Sequence, residues 1–225
     1  MLQNMLQVSI GVGYGKRLYG VDVRGRRETE YEKPIMEKAK NQIGKDQDSS
    51  DDMNTVRRMR LKDVEDAIGV LVASFEDSWN RYERNYYPRK ALEFDISQYT
   101  SENYRKKIQE PNGFLFVIEE DEKIVGVAVG RILRGNEKKG GLALLSVVCI
   151  HPLHQRKGLG EALLGHVLKY CKKQKCHKIT LYTLPVLIPA LHLYLKLGFV
   201  PEAYLRKEWW EIDFLKMSKW LLGEC

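Results

Sequence analysis

Apolar positions along this chain change period several times, and each change marks an element. Val56 to Arg60 reads as a short first strand, after which Val64, Ile68, Leu71, Val72 and Phe75 recur at helical spacing. Leu61-Lys62-Asp63 opens that helix, and Asp63 is expected to serve its N-terminus, where a carboxylate can accept from first-turn N–H groups. Tyr99 to Ile108 carries a second helical pattern, ended by Pro111-Asn112-Gly113. Phe114 to Glu119 and Lys123 to Ile132 read as a hairpin around Glu120-Asp121-Glu122. Both of its strands are apolar on both faces, as strands covered by helices are. Arg134 to Gly141 is a polar loop.

The next switch is the most informative. Leu144 to Ile150 is an apolar run rich in β-branched residues, a buried strand that Pro152 stops. Gln155-Arg156-Lys157-Gly158-Leu159-Gly160 then leads straight into a helix on which Leu159, Leu163, Val167 and Tyr170 recur. A strand, a short basic loop and a helix N-terminus together form an anion site, because first-turn N–H groups lack intrahelical partners and the macrodipole is positive there. Gly158 and Gly160 allow close approach of a phosphate, and Arg156 and Lys157 add full charges. Lys178 to Leu184 is a further strand, and Pro189 suits the first position of a helix over Ala190 to Lys196 that Gly198 caps. Phe199 begins another strand, and Glu208 to Met217 reads as the last one.

Two motifs in this order resemble the GNAT acetyl-CoA-dependent N-acetyltransferases. The first is Q/R-x-x-G-x-G/A after a strand, filled by Gln155, Gly158 and Gly160. The second is Ala190-x-x-Leu193-Tyr194-x-Lys196-x-Gly198-Phe199. The resemblance runs from about Thr55 to Leu222, and Gly126 matches a glycine that the family places mid-strand. It implies an α/β layered (α+β) fold with a mixed, mostly antiparallel central sheet flanked by helices. The catalytic domain would span 54–222, with a small N-terminal extension over 1–53.

The extension lies outside the resemblance. Val8 to Val12 and Leu18 to Val23 read as a hairpin, Glu28 to Ile43 as a charged helix, and Gly44 to Asp52 as a linker. Gly11-x-Gly13-x-Gly15-Lys16 lacks the spacing of a phosphate loop or a dinucleotide fingerprint and reads as a glycine-rich turn. Lys16, Arg17, Arg24, Arg26 and Arg27 offer a contact for RNA, but neighbouring acids dilute them into a solvated face.

Composition narrows the class. The 225 residues are 44% hydrophobic and 30% charged, enough for one substantial core. The net charge of +7 can steer an anionic cofactor and does not call for a nucleic-acid partner. The N-terminus lacks a basic segment before an apolar core, and no apolar run approaches a membrane span, so a cytoplasmic protein with no membrane partner is expected. Cys171, Cys176 and His177 lie close together without a fourth ligand, so no metal is expected, and Cys149 is expected as a small buried hydrophobe. The oligomeric state stays open, a homodimer included.

Acetyl transfer to an amine makes four demands, and the resemblance assigns residues to most of them. The Gln155 to Gly160 loop holds the pyrophosphate of acetyl-CoA, the acyl donor. The strand edge at Val148, Cys149 and Ile150 pairs with the pantetheine arm, and a backbone N–H near Val148 faces the oxyanion. Tyr194 is the acid for the departing thiolate, since a phenol of pKa about 10 is matched to a thiol of similar strength. Lys196 belongs to the same motif. Leu187 stands where the family often has a pantetheine-binding Asn, and Gly141 to Ser146 lacks the glutamate many relatives use as base. His151, His154, Glu208 and Glu211 are the candidates to receive the amine proton, while His192 is expected away from the site. Trp79, Tyr82, Tyr86 and Tyr87 either shape an acceptor groove or cover the core. Paired tryptophans at 209 and 210 resemble the paired aromatics of protein N-terminal acetylases. A protein N-terminal or lysine amine is therefore one acceptor, and a polyamine or amino-sugar is another. A non-catalytic acyl-CoA sensor is the alternative from a different class.

Overall fold

The computed structural model describes residues 55–134 and 140–222, so the expected N-terminal hairpin, helix and linker lie outside the described residues. A seven-stranded sheet runs in the order β1-β2-β3-β4-β5-β7-β6. Its strands are β1 (Thr55–Arg58), β2 (Gly113–Glu120), β3 (Lys123–Leu133), β4 (Leu142–Ile150), β5 (Lys178–Thr183), β6 (Val200–Trp209) and β7 (Ile212–Trp220). All neighbours are antiparallel except β4 and β5, which are parallel and joined through helix α4 (Leu159–Lys173). This is the mixed, mostly antiparallel sheet expected.

Helices α1 (Val64–Ser78), α2 (Arg89–Ser97), α3 (Ser101–Gln109) and α5 (Ile188–Lys196) complete the layers. The sheet has a separate apolar layer on each face. Leu159, Leu163, Leu164 and Val167 of α4 pack with Phe114, Phe116, Ala128 and Leu145 on one face. Val64, Ala67, Val70 and Leu71 of α1 pack with Leu115, Val117, Val127 and Val129 on the other. Alternate strand residues serve the two layers, which is why β2 and β3 are apolar throughout.

Side chains and backbone of the adjacent strands β2 and β4 close over the mid-strand glycines. A Cβ on Gly130 would stand 2.2 Å from Cζ of Phe114 and 2.5 Å from the Leu144 carbonyl oxygen. Gly130→Ala is therefore expected to destabilise the fold by about 2 kcal/mol and to lower Tm by roughly 4–8 °C. An unchanged melting curve by circular dichroism would contradict this packing.

Three local expectations need correction and one takes a different form. Asp63 serves the start of the helix through a reciprocal capping box with Arg60 at the Leu61–Asp63 turn, not by a side-chain N-cap bond to α1 itself. Its buried carboxylate accepts from Arg57 Nη1 at 2.6 Å, Arg57 Nη2 at 3.0 Å and the Arg60 backbone N–H at 2.6 Å. The same carboxylate, in a residue 3% exposed, thus holds a guanidinium and the N–H at the helix start together. Helix α2 was not foreseen, because its buried face carries Asp95 beside Ala91 and Leu92. Pro189 occupies the second rather than the first position of α5, which begins at Ile188. The last strand is interrupted: Trp210 and Glu211, at φ 53° and 57°, form a two-residue turn between β6 and β7. Such a turn usually shows itself through Asn-Gly. Here contacts across the tip accompany it, with the Trp210 and Trp209 rings 6.0 and 6.4 Å from Phe94 of α2.

Candidate active site

The site forms where the sheet comes apart. Strands β4 and β5 pair only from Leu142↔Lys178 to Leu145↔Leu181. At the next residue the β3–β4 register steps from Gly130↔Leu145 to Val129↔Val147, leaving Ser146 as a bulge. A bulge bends its strand and sharpens its twist. Beyond it, β4 no longer follows β5, and among the described residues its edge from Ser146 to Ile150 has no partner strand on that side. The splay implied at Val148 is present, and the bulge is its local cause.

A cavity of about 150 Å³ opens in this gap. Ser146, Val147 and Val148 line one side, Tyr182, Thr183, Leu184 and Phe214 another, and Leu187 and Tyr194 a third. Cys149 and Ile150 are not among its lining residues. Cys149 packs toward α1, where burial pushes its thiol up to about 12. The Ile150 carbonyl accepts from Ser74 Oγ at 2.8 Å and from the Gln155 side-chain amide at 3.1 Å. Gln155 thus fastens the loop to the strand end.

Tyr194 is held by the end of its own helix. Leu197 closes α5 and Gly198 takes φ 77°. The Phe199 N–H donates to the Tyr194 carbonyl at 2.9 Å and the Gly198 N–H to the Leu195 carbonyl at 2.9 Å. This is a Schellman motif, in which the residues at either end of the longer bond are brought into contact. They are Tyr194 and Phe199, with ring centroids 5.9 Å apart. Tyr194 is 8% exposed, and burial holds its phenol well above the ordinary value, so the hydroxyl keeps its proton. Lys196 of the same motif pairs with Glu161 of α4 at 2.6 Å, tying the two helices together.

The basic loop sits at the N-terminus of α4. Arg156 has φ 64° and Gly158, the N-cap, φ 81°, and Arg156, Lys157 and Gly158 are exposed. Leu159 is buried beneath them. Among the described residues no atom lies within 4 Å of a Cβ placed on Gly158, whereas one on Gly160 would stand 3.4 Å from Leu193. Gly158 therefore leaves open space over the first-turn N–H groups, while a Cβ at Gly160 would make only ordinary contact with α5. A phosphate fits this cradle on charge and on shape.

Glu120, at the end of β2, faces the same loop. Its carboxylate binds Lys157 at 3.0 Å and also the His154 ring. The His154 and Lys157 hydrogen bonds hold it below the usual carboxylate range. Glu120→Gln removes a negative charge beside an anion site and frees Lys157. A few-fold tighter Kd for acetyl-CoA is expected at low ionic strength, shrinking in high salt. Calorimetric titration at two salt concentrations checks it, and an unchanged low-salt Kd would contradict the competition.

None of His151, His154, Glu208 and Glu211 lines the cavity. His151 Nδ1 accepts from the Leu153 N–H, and His154 is taken by Glu120. Glu208 and Glu211 are exposed on the β6–β7 hairpin, and His192 is exposed as well. The acids that do line it are Glu83 and Asp95, 6% and 3% exposed. A π-helical turn over Trp79–Glu83 ends α1, with the Arg84 N–H donating to the Trp79 carbonyl at 2.9 Å. The wider turn shifts the buried face, so Glu83 points inward while Asn80, Arg81, Tyr82 and Arg84 stay exposed. Ser78 Oγ donates to Glu83 at 2.6 Å, and the Tyr87 hydroxyl donates to Asp95 at 2.6 Å. Burial pushes both carboxyl groups up, and the Asp95 charge raises Glu83 further. Of the four groove aromatics, Tyr87 lines the cavity, Trp79 and Tyr86 pack beside it, and Tyr82 is exposed.

Residues 65–199 match the model of the Acetyltransferase (GNAT) family. The chain belongs to that family. The matched stretch holds the GNAT loop, the splayed strand and the Tyr194 helix, while Phe214 lies beyond it. Mycothiol acetyltransferase of Arthrobacter sp. (strain FB24) is 32% identical over 90 residues, 40% of this chain and 28% of that protein. The chain thus matches less than a third of that curated relative. The PaiA N-acetyltransferase of Thermoplasma acidophilum, solved in complex with coenzyme A, superposes with a TM-score of 0.62 at 21% identity. That likeness covers 74% of this chain and 98% of the other. The ribosomal-protein-S18-alanine N-acetyltransferase of Escherichia coli gives 0.56 at 18% identity, covering 76% and 96%. Identities this low establish the shared GNAT fold. Acetyl-CoA is the donor of GNAT acetyltransferases. Among the described residues no group of three or more His, Cys, Asp or Glu is placed to hold a metal, and no helix is long and apolar enough to cross a membrane.

Proposed function

We propose that this protein moves an acetyl group from acetyl-CoA directly to a primary amine, within a domain spanning 54–222. The observation that carries the reading is the convergence of Tyr194 and the unpartnered Val148 edge on one cavity. Acetyl-CoA supplies a thioester carbonyl activated toward attack by nitrogen. The Gln155 to Gly160 loop binds the pyrophosphate through helix-end N–H groups and the charges of Arg156 and Lys157. Backbone groups of Val148 orient the acyl end and donate to its oxygen. As the C–N bond forms and the C–S bond breaks, Tyr194 gives its hydroxyl proton to the sulfur. A buried carboxylate, Glu83 foremost, takes the proton lost from the nitrogen. Leu187 offers packing where many relatives have an amide, so the pantetheine arm is held by strand pairing and apolar contact. Among acceptors, an amine small enough to enter the cavity is favoured over a folded protein's lysine, because the reacting atoms line a recess of only about 150 Å³.

Release of free thiol on mixing the full chain with acetyl-CoA and a panel of amines tests this reading. Thiol release that depends on the amine is expected. Acetyl-CoA binding without thiol release from any amine would replace the enzyme with an acyl-CoA sensor.

A further inference from the structure

Acceptor selection follows from what surrounds the buried acids. The cavity of about 150 Å³ is walled by Phe75, Tyr99, Tyr182 and Phe214, with Glu83 and Asp95 set into that apolar lining. An apolar cavity of this volume in another protein is large enough for one benzene ring, and it is well below the size that drug-like ligands occupy. Burial and the nearby Asp95 charge make Glu83 resist ionisation, which a bound ammonium relieves. We propose that the acceptor is a small monoamine with an apolar or aromatic body, its ammonium received by Glu83 and Asp95 and its body by the aromatic wall.

This rests on the acetyl-transfer reading and narrows it. A polyamine needs further acidic groups along its length. Instead, the segment that carries Glu83 presents Arg81, Arg84, Arg89 and Lys90 on its exposed side. Asp77 and Glu76 there are paired with Arg81 at 2.9 Å and Arg89 at 2.7 Å, so they offer little to a polycation. An extended peptide fits only if its first residue alone enters a space of about 150 Å³.

The test compares 2-phenylethylamine, spermidine and a tetrapeptide with a free N-terminus as acceptors for the full chain, read as kcat/KM from thiol release. Binding of each amine in the presence of coenzyme A is read separately by thermal shift. Phenylethylamine is expected to exceed the other two by tenfold or more. Glu83→Gln, which keeps the shape and the Ser78 contact, is expected to lower that kcat/KM at least tenfold while acetyl-CoA affinity stays within twofold. Asp95→Asn is expected to act in the same direction. Preference for spermidine or the peptide, or an unaltered Glu83→Gln enzyme, would overturn the acceptor class and leave acetyl transfer standing. Binding of phenylethylamine that Glu83→Gln abolishes, without turnover of any amine, would uphold the pocket and overturn the transfer reading. Absence of both binding and turnover with phenylethylamine would overturn the pocket.

Discussion

Tyr194→Phe is expected to lower kcat about 100-fold, within the range that general acid catalysis contributes, with acetyl-CoA affinity changed less than twofold. The substitution removes one oxygen and keeps the ring. The contact with Phe199 that closes the Schellman motif survives, so the fold and the neighbouring loop are undisturbed. What disappears is a proton held on a buried hydroxyl at the end of the cavity. Because burial raises this phenol, wild-type kcat should not fall as pH rises through the ordinary tyrosine range. Pre-steady-state thiol release separates the chemical step from product departure. A variant with undiminished chemistry would show that the thiolate leaves unassisted or takes its proton from water.

Gly158→Asp is expected to weaken acetyl-CoA binding 100-fold or more while leaving the melting temperature close to wild type. Two effects act together. Gly158 holds φ 81°, a left-handed conformation that Asp, like Asn, tolerates better than most L-residues, so the added backbone strain is small. The new carboxylate would also enter the open space above the helix end, where the phosphates are expected. Gly158→Asn separates them, since asparagine tolerates this conformation and carries no charge. Affinity near wild type for Asn and lost for Asp would assign the effect to charge. Normal affinity in both variants would mean that the pyrophosphate lies elsewhere.

The donor half of the site was legible in the sequence, and the acceptor half was not. Gln155, Gly158, Gly160 and Tyr194 lie on a loop and a short helix whose local geometry is written in neighbouring residues. Gly198 and Phe199, for example, encode the cap that positions Tyr194. Glu83 gave no such signal. It is buried only because α1 ends in a wider turn, and a period of 3.6 places residues 81 and 82 inward instead. Asp95 concealed α2 altogether, since an acid on the inner face breaks the apolar stripe that marks a helix. The turn at Trp210 and Glu211 lacked both glycine and asparagine, and the packing of tryptophan on Phe94 that accompanies it joins residues distant in sequence. In each case a tertiary contact outweighed the local preference that a pattern can detect.

The short parallel contact between β4 and β5 has a mechanical meaning. Four residue pairs, Leu142 to Leu145 with Lys178 to Leu181, form the seam between a stiff four-strand slab and a stiff three-strand slab. Spreading the slabs flexes that seam and leaves every other ladder intact. The anion loop and the Val148 edge ride on one slab, while Tyr182, Thr183 and Phe214 ride on the other. The two walls of the gap therefore stand on different strand sets, and its width is set by that one short seam.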